Sequence, residues 1–271
     1  MNWQACFPMY NTPGVQQHLR HFWAEVEKRL VSLHMANLPA TLTFEDVLQT
    51  GVPENLLLIQ YCGYPYVTEW QAKGVLHPLA CFDYDAIGAT PYRHCSVVVV
   101  NRANEAKHID AFRGMTVALN GHNSNSGMNL LRHLIAPLAG GESFFAKVHE
   151  TGAHVTSVEA VANGTADIAA IDAVTFAYLA DERPELAEKV KVLATTASSP
   201  TLPLFTPSHV PDTARTMLWE ALHDVVTNPD LADLVQKKLR IKGIQPITDE
   251  TLAIISDYEM QARELGYPLL G

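Results

Sequence analysis

The chain of 271 residues is 48% hydrophobic and 18% charged, which suits one large globular domain or two of ordinary size. Its 19 basic against 29 acidic residues leave a formal charge of −10 and no basic run, which argues against nucleic acid or an anionic membrane surface as partner. No segment approaches the ~18 uninterrupted apolar residues of a membrane span.

Strand-like and helix-like runs alternate, the pattern of an α/β fold with parallel sheets. Trp3–Phe7 reads as a strand already in progress; the opening lacks the basic start and apolar stretch of a secretory signal. As written, the chain is expected in the cytoplasm, or in the periplasm if a signal was removed. Val15–His34 predicts a helix with Leu19, Phe22, Trp23, Val26 and Leu30 on one face. Leu56–Gln60 predicts a short strand, Tyr61–Tyr66 a turn, and Leu76–Phe82 and Ser96–Val100 two further strands.

A second α/β unit follows, with a strand at Met115–Leu119, a polar loop and a helix to about Ile135. Helices are predicted at Ser143–His149 and Val155–Asn163, a strand at Ile168–Ile171, a helix from Asp172 and a strand at Val190–Thr195. Ser198–Phe205 reads as a Pro-rich connection, and helices are expected thereafter at Pro211–Val226, Pro229–Lys238 and Asp249–Leu265. The breaks near Asn101 and Pro200–Phe205 suggest that residues 99–203 form a lobe inserted into an outer lobe of 1–98 and 204–271, with two chain crossings acting as a hinge. Cys6, Cys62, Cys81 and Cys95 contain no C-x-x-C pair, so reduced, buried thiols are expected.

The richest stretch is Asn120-Gly-His-Asn-Ser-Asn-Ser-Gly127, set between the strand and the helix. Ser124, Asn125 and Ser126 are good N-cap types, and the unpaired N–H groups and positive dipole end of a helix converge where they sit. No Lys or Arg lies between Arg113 and Arg132, so neutral dipoles would hold an anion there. An ordinary capped turn fits the same residues.

Three phrases together resemble the phosphonate-binding branch of type 2 periplasmic substrate-binding proteins, which serve ABC transporters. The first is Phe112-Arg-Gly-Met-Thr-Val117, the strand and Ser124-Asn-Ser-Gly127; the second is Gly152–Asp172, with its histidine, Asn163-Gly164 and final acidic residue. The third is Phe7-Pro-Met-Tyr10 with Gln60-Tyr-Cys-Gly-Tyr-Pro65. Asn125 stands where that family usually carries threonine, and His122-Asn123 stand where Asp-Pro is typical. The resemblance implies a two-lobed fold, each lobe a mainly parallel sheet flanked by helices with a cleft between. It implies no catalytic residue, cofactor or metal, and a small oxyanion as ligand with an ABC permease or signalling protein as partner.

On that reading Ser124, Asn125 and Ser126 donate to a tetrahedral oxyanion, and Gly127 lets the ligand approach the backbone, unless it merely eases helix packing. His154 donates to an anion oxygen or is a surface neighbour of a helix cap. Asp172 accepts from a protonated oxygen or amine on the ligand, or is a plain N-cap. Tyr10, Tyr61, Tyr64 and Tyr92 fall at strand ends and turns, where phenols suit a cleft wall or the core equally. His18 and His21 have metal-ligand spacing without further ligands nearby, and His94 and Cys95, adjacent on a strand, cannot face each other. Two other readings stay open: a cofactor-biosynthesis enzyme on this fold, with His154 or Asp172 as acid or base, and a cytoplasmic ligand sensor.

Overall fold

The computed structural model describes residues 2–39 and 41–270, which fold into two compact units. The strands are β1 (Gln4–Cys6), β2 (Leu42–Thr43), β3 (Leu56–Gln60), β4 (Leu76–Tyr84), β5 (Arg93–His94), β6 (Ser96–Asn101), β7 (Thr116–Leu119), β8 (Lys147–Glu150), β9 (Ile168–Asp172), β10 (Val190–Thr195), β11 (Ser199–Pro200), β12 (Pro203–Pro207) and β13 (Ile241–Pro246). The helices are α1 (Pro13–Ser32), the single turn α2 (Gly63–Pro65), α3 (Leu130–Ala139), α4 (His154–Ala162), α5 (Ala173–Glu182), the turn α6 (Pro184–Ala187), α7 (Asp212–Thr227) and α8 (Asp249–Glu264).

The first unit takes the described residues up to Asp85 together with Pro200–Leu252. Its six-stranded sheet runs β13-β4-β12-β3-β1-β2. Leu56–Gln60 is buried throughout, as a strand covered on both faces must be. β1 runs parallel to β2 and β3, whereas β12 is antiparallel to β3 and β4, and β13 antiparallel to β4. Helix α1 starts on Pro13 at its first turn and buries Val15, Leu19, Phe22, Trp23, Val26 and Leu30, the stripe its periodicity predicts.

The second unit takes Ala86–Ser199 and the described residues from Ala253 onward. Its sheet runs β10-β6-β9-β7-β8, parallel from β9 through β7 to β8, with β6 antiparallel to both β9 and β10. Val97 and Val99 of β6 join Ala118, Val158, Val161, Ala169, Ile171, Phe176 and Leu179 in one apolar core. Fully burying each such Val, Ile or Leu contributes about 1.5–3 kcal/mol. Successive β6 residues face opposite sides of the sheet, so Ser96 points away from that core and toward the polar loop.

The chain passes between units at 85/86, 199/200 and 252/253, the last inside α8, where the sequence suggested two crossings at about 98/99 and 203/204. Both sheets are mixed rather than mainly parallel. Four local expectations are corrected. Ser143–His149 is not a helix: Lys147–Glu150 is the edge strand β8, which β7 recruits by parallel pairing. Ser198–Phe205 contains β11 and runs into β12, whose two prolines stand at its ends and leave Leu204 and Phe205 to pair. The stretch after Lys238 holds β13, in which a register shift between Ile241 and Gly243 disguises the alternation. Tyr61–Tyr66 is a helical turn leading into a π-helical turn at Tyr66–Trp70. Among the described residues no helix is long and apolar enough to cross a membrane.

Candidate functional site

β7 ends at Leu119, and the loop after it enters a π-helical turn, Asn125–Asn129, that continues as α3. Such widened turns concentrate at functional positions. Ser124 is the N-cap, its Oγ accepting the Gly127 N–H at 2.9 Å, while its carbonyl accepts the N–H groups of Met128 and Asn129 at 3.3 and 3.0 Å. Ser124, Asn125 and Ser126 are all buried although all are polar. Helix α3 closes at Gly140, whose left-handed φ of 67° a side chain would resist.

The four loop candidates serve different ends. Ser126 Oγ meets His154 Nε2 at 2.9 Å, and the Ser126 carbonyl accepts the Ser96 hydroxyl at 2.7 Å. Asn125 turns inward: its Nδ2 donates to Ser199 Oγ at 2.8 Å and its Oδ1 accepts from Asn129 Nδ2 at 3.1 Å. At Gly127 the place of a Cβ is taken by Asn120 Oδ1, 1.7 Å away, so the close approach this glycine allows is that of Asn120.

His154 begins α4 and is half-buried. Burial first of all, with the nearby His94 adding to it, lowers its basicity to about 4 against the opposing pull of Asp172 and the Ala170 carbonyl. The ring is neutral at pH 7, with one nitrogen donating and the other accepting. Asp172 ends β9 and caps α5: its Oδ1 accepts the N–H groups of Val174 and Thr175, each at 2.9 Å. Its Oδ2 lies 2.7 Å from His94 Nδ1, with both side chains buried. Burial alone would raise this carboxyl, but His94, His154 and the Thr175 N–H outweigh it and hold it at about 2. The N-cap alternative thus accounts for one oxygen of Asp172 and His94 for the other.

The second unit therefore brings together Ser124, Asn125, Ser126, Gly127, His154 and Asp172. Tyr92 belongs to it too, half-buried in a left-handed conformation at φ 59°, a strained state for a bulky residue. Tyr10, Tyr61 and Tyr64 belong to the first unit and are nearly fully buried. Tyr10 packs edge-on against Tyr84 at 5.6 Å, and burial chiefly raises the Tyr61 hydroxyl above its ordinary range.

Sequence reasoning missed Ser96, Asn129 and Ser199 and weighed His94 only against Cys95; their parts depend on strand pairing and on contacts 30 to 126 residues apart in the chain. The only available signal was polarity at positions flanked by apolar runs. His94 does face away from Cys95, which turns its thiol to the Ile87 carbonyl. Burial pushes the Cys6 thiol up to about 12 and Cys81 to about 11, leaving both unreactive. No cluster of three metal-type ligands occurs among the described residues.

Residues 8–252 match the family described as ABC transporter, phosphonate, periplasmic substrate-binding protein. No curated protein matches the chain by sequence. Among solved structures, the binding component of an ABC phosphonate transporter from Pseudomonas aeruginosa is 15% identical, with a TM-score of 0.74 over 98% of this chain and 88% of that one. PhnD1 from Prochlorococcus marinus, solved with methylphosphonate, is 15% identical with a TM-score of 0.70 over 97% and 98%. XAC2383 from Xanthomonas citri, solved with ATP, is 13% identical with a TM-score of 0.67 over 98% of each chain. At such identities the structures establish a shared fold; the matched segment establishes the family, which is one of solute receptors and not of enzymes. The chain belongs to the periplasmic substrate-binding proteins of phosphonate ABC transporters.

Proposed function

We propose that this receptor takes a small tetrahedral oxyanion, a phosphonate, phosphate or phosphite, on the Ser124–Gly127 turn. The observation that carries the reading is the burial of Ser124 and Ser126 at a helix start, with Ser126 held by a neutral histidine. A helix start favours an anion through its dipole, and the Ser124 and Ser126 hydroxyls stand there as donors on this reading. The stretch from Met115 to Leu131 carries no Lys or Arg, so the site recognises charge through dipoles rather than ion pairs. Ser124, Ser126 and His154 are the ligand contacts on this reading, Asn125, Gly127 and Asp172 hold them in place, and Tyr92 offers a phenol to the ligand's remaining surface. The methylphosphonate bound by PhnD1 supports the ligand class, while the ATP bound by XAC2383 keeps larger phosphoryl ligands in the comparison.

The family implies an ABC permease as partner and the periplasm as the place of work; cell fractionation tests the compartment. Isothermal titration of the full chain against methylphosphonate, phosphate and phosphite tests the ligand. Saturable heat with at least one of them is expected. Absence of heat with all three removes the oxyanion and leaves the family assignment standing.

A further inference from the structure

The π-helical turn and the helix α3 that continues it carry Asn125, Asn129 and Arg132 at positions i, i+4 and i+7, all buried and all polar. Asn129 Nδ2 donates to Asn125 Oδ1 at 3.1 Å and to the Ile255 carbonyl at 2.9 Å. Arg132 Nη2 donates to Asn129 Oδ1 at 2.7 Å and lies 3.7 Å from Glu259 Oε2, and its Nη1 reaches the Pro268 carbonyl at 2.9 Å. At the other end of the stripe Asn125 Nδ2 holds Ser199 Oγ at 2.8 Å. The neighbouring Ser198 carbonyl accepts from Arg93 Nη2 at 2.7 Å and from the Tyr258 hydroxyl at 2.8 Å.

These partners share one property. Ser199 is the last residue before the 199/200 crossing, and Ile255, Tyr258 and Glu259 follow closely on the 252/253 crossing. A buried arginine and two buried amides are costly unless satisfied, and apolar residues would pack this stripe at lower cost. Their expense goes into directional bonds joining the turn to two places where the chain changes unit.

We propose that Asn125, Asn129 and Arg132 form a positioning relay that ties the Ser124–Gly127 turn to the Ser198–Ser199 and Ile255–Glu259 segments, so that occupancy of the turn is felt at both crossings. The relay rests on the oxyanion reading only for what occupies the turn; its wiring stands in the free protein. None of the three residues needs to touch ligand, and Asn125 serves here as a coupling residue rather than an anion donor.

Hydrogen exchange on the full chain tests it. Asn129→Asp keeps the acceptor for Arg132 and removes the donor to both Asn125 and Ile255. Exchange about fivefold faster is expected at 253–257 and also at 195–199, two hydrogen bonds away, since each lost bond is worth about a factor of five in local opening. Acceleration confined to 253–257 overturns the relay, because a merely local structural role produces that result. Should Asn129→Asp fail to fold, Ser199→Ala tests the same wiring from the other end: faster exchange at 124–129 supports the relay, and unchanged exchange there overturns it. If titration shows that methylphosphonate binds, saturating it in the wild-type chain is expected to slow exchange at both crossings. Protection confined to 124–127 overturns the coupling. If no oxyanion binds, the ligand reading falls while the exchange results on the free protein still decide the relay.

Discussion

The hydroxyl of Ser126 meets the His154 ring at a helix start, so its loss leaves His154 Nε2 without that partner and, on the proposed oxyanion reading, removes one hydrogen bond to the ligand. Ser126→Ala is expected to weaken methylphosphonate binding about tenfold or more in calorimetry, the worth of one charge-assisted bond. Gly127→Ala places a methyl 1.7 Å from Asn120 Oδ1 and 2.8 Å from its Cγ. A cost of about 1–3 kcal/mol is expected in urea unfolding. Pairing it with Asn120→Ala should recover part of that cost, a coupling that a double-mutant cycle measures. His154 gives the cluster a pH signature. Its folded value near 4 lies below the ordinary 6.5, so between those values the unfolded chain binds a proton the folded one lacks, and stability falls as pH drops from 6.5 toward 4. Asp172, held at about 2 against 3.8, adds about 2 kcal/mol that is lost as pH falls through that lower window. The urea midpoint should therefore decline in two stages, and His154→Asn should abolish the upper one while only shrinking the lower, which His94 and the Thr175 N–H still support. A midpoint in the wild-type chain that is constant from pH 7 to 4.5 rules out the neutral His154 ring.

At the scale of elements, β12 shows how a proline-rich stretch becomes a central strand. Pro203 and Pro207 mark its ends, Leu204 and Phe205 pair with β3 and β4, and the Phe205 ring lies 4.4 Å from that of Tyr66. Phe205→Ala is expected to cost about 3–5 kcal/mol by calorimetry or urea titration, since the ring is fully buried in the sheet's centre. Elements with a period of their own were legible beforehand: α1, β3 and α5 lie within two residues of their expected bounds where a start or end was predicted. β8 and β13 were not, because edge strands owe their existence to the neighbour they pair with, and β13 also carries a bulge that breaks its alternation.

For the whole molecule, folding gathers pieces distant in sequence into two units, and the ligand's contribution to stability follows mass action. Methylphosphonate at 100 times its dissociation constant should raise the unfolding free energy of the binding unit by about 2.7 kcal/mol, with a matching rise in Tm. Ser126→Ala at the same ligand concentration should show a smaller rise. An equal rise in both chains places the ligand somewhere other than the Ser124–Gly127 turn. If the ligand is the proposed oxyanion, the formal charge of −10 adds a salt dependence, because added salt screens its repulsion from an acidic receptor and should speed association.

By itself the chain's pattern of apolar residues determined the alternation of strands and helices, the two α/β parts and the capped turn at Ser124–Gly127, because periodicity and capping are local. The family likeness was also legible, since its phrases are contiguous. Only the tertiary structure decided that Asn125 faces Ser199, that Asp172 is shared between a helix cap and His94, and that residues 253–270 join the second unit. Each of those outcomes depends on a partner far away in the chain, and hydrogen-bond direction and burial exist only once that partner has arrived.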